Sequence, residues 1–211
     1  MGTTRAFYVI QNNGLSIEFL KTCLLSMQAK MYGKQKSNKH LSVGSEQGII
    51  NERGIQEMSG CISDTTNVVL AYNENSRWIA LFEPTLCEGY CASDKDTRFL
   101  SNVFNSDVIA FSLFDSDVLF ISYSRLSDNL SFNISKPNND DCIEYDSDMY
   151  PSDFPDFLAP FCYETGLERL NEIWESEEYT FADERMNDIC MLIGASILWN
   201  AEEIPIGFRK I

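Results

Sequence analysis

Carboxylates supply most of the chemistry this chain could do. Two triplets, Asp115-Ser116-Asp117 and Asp146-Ser147-Asp148, place acidic groups two positions apart. That spacing lets both converge on a hard cation where the backbone turns. Neither triplet continues into a glycine-centred twelve-residue calcium loop closed by glutamate. Asp115 and Asp117, at a turn between two strand-like runs, are the pair on which a metal-assisted hydrolase could be built, since turns display their side chains.

The other reactive types are seven cysteines and one histidine. Cys87 and Cys91 frame three residues, but tetrahedral zinc needs four ligands and no second close pair follows. Cys61 and His40 are only distant recruits. Nucleophilic catalysis needs a nucleophile, a base and an orienting group. His40 lies in a lysine-rich polar stretch, and nothing in the sequence selects one thiol to meet it. No Gly-x-Ser-x-Gly element and no Walker loop occurs, and Gly44 and Gly48 lack the lysine that phosphate cradling requires. With 32 acidic residues, chance pairs for acid–base hydrolysis are too many for any one to be informative. The sequence therefore points to binding over catalysis and implies no cofactor, with the hydrolase at Asp115 and Asp117 as the alternative.

Charge gives the binding reading its sign. The net charge is -16, which disfavours nucleic acid and draws in a basic protein partner. It is unevenly spread. Residues 1–60 hold seven basic and four acidic side chains, whereas Asp140 to Asp188 holds 16 acidic and two basic ones. Within that stretch Trp174, Glu175, Glu177, Glu178, Tyr179 and Phe181 mix aromatic and acidic groups just before a helix. Asp146, Asp148, Glu175, Glu177, Glu178 and Tyr179 are accordingly the expected partner-binding residues. Trp174 and Phe181 are expected to be core residues at a helix corner, because large aromatics are mostly buried.

The elements that must position these groups follow from periodicity. Arg5 to Ile10 reads as a strand. Ser16 to Met31 carries Ile17, Leu20, Leu24, Met27 and Met31 at helical spacing, with Ser16 as N-cap. Asn67–Tyr72 with Arg77–Phe82, and Asp107–Phe114 with Val118–Ser124, read as hairpins, and Asp94 to Asn105 as a helix. Leu126 to Ile134 alternates and reads as a third strand on the second hairpin, with Ser127, Ser131, Asn133 and Ser135 toward water. Lys136 to Pro160 reads as a long loop, Gly166–Trp174 and Phe181–Ile193 as helices, and Gly194 as a C-cap. Strands joined by tight turns pair antiparallel. The expectation is a single α+β domain over 1–211, with a mostly antiparallel sheet built from hairpins, flanking helices and a C-terminal helical segment, the alternative being that 151–211 forms a helical subdomain.

The runs Asp107–Phe120 and Tyr179–Gly194 resemble an uncharacterised family of acidic bacterial proteins, loosely similar to the immunity proteins of toxin systems. The resemblance spans about residues 77–195 and implies a small cytosolic protein that binds a partner; it transfers no catalytic residue. The first ten residues lack an apolar block with a cleavage site, and no apolar run approaches the roughly 20 residues of a membrane span. Free thiols in a reducing cytoplasm are the corresponding expectation for the cysteines.

Overall fold

The computed structural model describes residues 5–27, 68–82, 94–138, 154–163, 166–198, 200 and 202–211. Its centre is one seven-stranded sheet. The strands are β1 (Arg5–Gln11), β2 (Val69–Tyr72), β3 (Trp78–Phe82), β4 (Val108–Phe114), β5 (Val118–Arg125), β6 (Leu130–Pro137) and β7 (Arg209–Lys210). They lie in the order β6-β5-β4-β1-β3-β2-β7, and every neighbouring pair is antiparallel. The helices are α1 (residues 17–27), α2 (Asp94–Phe104), α3 (Gly166–Glu175) and α4 (Ala182–Ile193), with a short 3-10 helix at Asp156–Phe161. The fold is α+β, as the hairpin signals require.

Both sheet faces are covered. Alternation along the strands sends Phe7, Val9, Ile109, Phe111, Leu119, Ile121 and Tyr123 to one face, where they pack on the 3-10 helix, α3 and α4. Tyr8, Ile10, Ile79, Leu81 and Leu70 go to the other face, against α1 and α2. Phe7 and Phe111 sit opposite each other across β1 and β4, and their rings stack at 5.4 Å. Trp78 Nε1 donates to the Ile193 carbonyl at 2.9 Å, joining the sheet to the end of α4. The C-terminal helices thus share one core with the sheet.

Three expectations need correction. β6 runs Leu130–Pro137 and not 126–134, because the chain turns through Asn129 at φ 55°. Ser135 does not face water: it is 9% exposed, and Ser131 and Asn133 are half-buried beside it. Their face looks toward α2, where Ser124 Oγ donates to Thr97 Oγ1 at 2.9 Å and lies 3.1 Å from Ser131 Oγ. Hydroxyls both give and accept, so a polar interlayer can satisfy itself. Finally, the stretch from Lys136 onward is not all loop, since β6 extends to Pro137 and the 3-10 helix follows at Asp156.

Candidate functional site

The turn between α3 and α4 is built from residues 176–181, and an open groove of about 810 Å³ runs along the seam between the two helices. Glu172, Glu175, Glu178, Glu184 and Asp188 line it, together with Arg169, Ile173 and Tyr179. Helical spacing explains the arrangement. Gly166, Leu170, Ile173 and Trp174 turn one face of α3 into the core. Ala182, Met186, Ile189, Cys190 and Ile193 do the same for α4. The charged residues between them are left on the outer faces that flank the seam.

Internal bonds divide these carboxylates into two classes. Glu172 pairs with Arg169 at 2.8 Å. Glu184 accepts the Thr180 and Phe181 amides at 2.9 and 3.1 Å, closing the first turn of α4. Asp188 accepts the Tyr179 hydroxyl at 2.6 Å. Burial first, and then the Asp188 carboxylate, push that phenol up to about 12. Glu175 meets Lys136 only at 3.8 Å and is largely exposed. Glu177 and Glu178 are exposed, and among the described residues neither carboxylate has an ion-pair or hydrogen-bond partner. Of the acidic groups at this corner, Glu175, Glu177 and Glu178 are thus the outward ones, with Glu175 only loosely paired.

Arg185 fixes this corner from below. It is 2% exposed, and its guanidinium stands 5.1 Å from the centre of the Tyr179 ring. Nη2 donates to the Ser176 carbonyl at 2.7 Å and Nε to the Ile173 carbonyl at 3.3 Å. A cation at the carboxyl end of α3 also suits the helix dipole.

The Asp115–Asp117 turn abuts the same corner. The Ala182 amide donates to the Ser116 carbonyl at 2.8 Å. Asn138 bridges the two, its amide to the Asp117 carbonyl and its Nδ2 to the Tyr179 carbonyl, both at 2.8 Å. Asp115 and Ser116 have φ of 51° and 63°, the sign pattern of the mirror-image hairpin turn that matches strand twist.

The expected residues thus fall into place unevenly. Glu175, Glu178 and Tyr179 line one groove, Glu177 stands exposed beside it, and Asp115 and Asp117 lie on the adjoining hairpin. Asp146 and Asp148 lie outside the described residues, as do His40, Cys61, Cys87 and Cys91. Among the described residues no three His, Cys, Asp or Glu side chains converge as a metal site. Trp174 is fully buried, as expected for a corner aromatic, but Phe181 is half-exposed. Sequence reasoning missed Arg185, although a basic residue on the apolar face of α4 signals a buried clamp. Among the described residues no helix is long and apolar enough to cross a membrane. No protein-family model matches this chain, and neither a curated protein nor a solved structure matches it.

Proposed function

We propose that this protein is a non-enzymatic binding module that docks a basic protein partner through the acidic α3–α4 corner. The observation that supports it most is the division of the carboxylates. Glu172, Glu184 and Asp188 are engaged in the fold, while Glu175, Glu177 and Glu178 stand outward from a corner held by Arg185, Asn138 and the Asp188–Tyr179 bond. A backbone already held in place leaves only the side chains to be ordered when a partner arrives, which favours fast and specific encounter. An immunity or antitoxin-like role, neutralising a basic effector, is the biological form of this reading that agrees with the acidic surface and the family resemblance.

A charge-matched comparison tests it. Glu175, Glu177 and Glu178 are changed together to glutamine, and separately Glu18, Glu74 and Glu202, which are also exposed and lie elsewhere. Binding of oligolysine is measured by titration at low and moderate salt. The corner variant is expected to lose about tenfold or more in affinity, with a shallower salt dependence, and the control much less. Equal losses would mean that net charge alone attracts the probe, and the docking site would be rejected.

A further inference from the structure

Phe181 is a residue of this corner whose identity the local structure leaves unexplained. It occupies the N-cap of α4 with extended backbone, φ −129° and ψ 149°. N-caps favour Ser, Thr, Asn and Asp because a side-chain oxygen accepts a first-turn amide. A benzyl group offers no acceptor. Nor does the ring serve the core, since it is 50% exposed and belongs to none of the buried clusters. A small polar residue here would cap the helix and leave less apolar surface in water, which offsets the loss of the half of the ring that is buried.

Its surroundings are acidic and fixed. Glu178, Asp183 and Glu184 flank it in sequence. The Ala182–Ser116 bond sets it beside the turn that carries Asp115 and Asp117. Its own amide is held by Glu184 Oε2. A half-exposed aromatic ring on a fixed backbone, in a stretch of the chain rich in carboxylates, has the composition of an interface hot spot with a charged rim. Residues that break a local rule without local compensation mark functional positions.

We infer that Phe181 is the apolar anchor of the docking surface, and that its occupant is a protein segment presenting an apolar patch bordered by lysine or arginine. Charge complementarity sets the rim of that partner and the ring sets its centre. A second copy of this chain is a poorer occupant, because two molecules of charge -16 repel. The inference rests on the acidic-corner reading and adds the anchor to it.

Two probes separate them: an amphipathic leucine–lysine peptide, and oligolysine with the same number of lysines. The full-length protein is expected to prefer the leucine–lysine peptide by about tenfold. Phe181→Ser should erase that preference, leave oligolysine affinity unchanged, and melt near the wild-type temperature, because a serine cap on α4 offsets the lost half-buried ring. Phe181→Leu should retain most of the preference. If Phe181→Ser keeps the preference, or loses both affinities together with a lower melting temperature, the anchor is refuted while the acidic corner stands. If glutamine at 175, 177 and 178 leaves both peptides bound as before, the acidic reading itself fails. A dimer detected by sedimentation and abolished by Phe181→Ser would assign the ring to a second copy and overturn the proposed occupant.

Discussion

Arg185 of α4 closes the carboxyl end of α3 by donating to the Ser176 carbonyl at 2.7 Å. With its second bond, to the Ile173 carbonyl, one side chain makes two helices and their connection a single unit. The outward carboxylates of residues 175–178 hang from that unit. Their placement therefore depends on a residue that never meets solvent.

Replacing Arg185 tests the clamp. Its Nη1 is buried without a hydrogen-bond partner, so part of the gain from the other two bonds is offset by desolvation. Arg185→Met should still lower stability by about 1–2 kcal/mol, because two carbonyls lose a charged donor. Arg185→Lys should lose nearly as much, since an ammonium cannot span both carbonyls as a planar guanidinium does. Urea midpoints at unchanged slope measure this; wild-type midpoints in both variants would show that the clamp contributes nothing.

Gly194 ends α4 at φ 71°, and its amide reaches the Cys190 and Met191 carbonyls. A Cβ there would stand 2.6 Å from Tyr163 Oη. The tyrosine ring is exposed and can swing away, so the main cost of Gly194→Ala is the left-handed backbone, about 1–2 kcal/mol. Gly194→Asn should lose less, since asparagine tolerates this conformation. Thermal melts of the two variants give the order, and an alanine variant as stable as the glycine would contradict it.

The hairpin beside the corner offers the opposite experiment. Ser116 sits at φ 63°, and its backbone carbonyl holds the Ala182 amide. Ser116→Gly should relieve backbone strain while keeping that bond, for a net gain of about 0.5 kcal/mol after the larger freedom of unfolded glycine is subtracted. A small rise in melting temperature is expected; a marked fall would mean that the turn is not strained.

Tyr179 makes stability depend on alkaline pH. Its folded phenol titrates near 12, above the ordinary value of 10.0. Between those values the unfolded chain has released a proton that the folded one keeps, so stability is complete below about pH 10 and declines toward pH 12. Tyr179→Phe removes this contribution, and its stability should fall less steeply over that window. Denaturant midpoints measured from pH 9 upward would detect the difference; parallel curves would contradict a coupled Tyr179–Asp188 pair.

Much of this architecture can be read from the residues. Strand runs such as Trp78–Phe82 and Val108–Phe114 are aromatic and β-branched, and the polar turns between them can only join antiparallel neighbours. The insertion of β1 between β4 and β3 is not legible, because pairing over long sequence separation leaves no local signal. β6 was displaced in the sequence reading because Leu126, Leu130 and Phe132 keep an apolar rhythm straight through the turn at Asn129. Ser135 looked solvated because its partner layer on α2, with Thr97 and Ser101, is itself polar. At the corner, the mix of acidic and aromatic residues points to Glu175, Glu177, Glu178 and Tyr179. What it could not separate was the engaged Glu172, Glu184 and Asp188 from the outward Glu175, Glu177 and Glu178, since that distinction lies in hydrogen bonds and ion pairs set by the fold.

Backbone NMR during an oligolysine titration locates the docking surface most directly. Amide shifts should change first and most at residues 175–182 and at the adjoining turn 115–117, and the changes should reverse with added salt. Shifts spread evenly over every exposed carboxylate, including those near Glu18, Glu74 and Glu202, would contradict a built docking site and leave only an acidic surface.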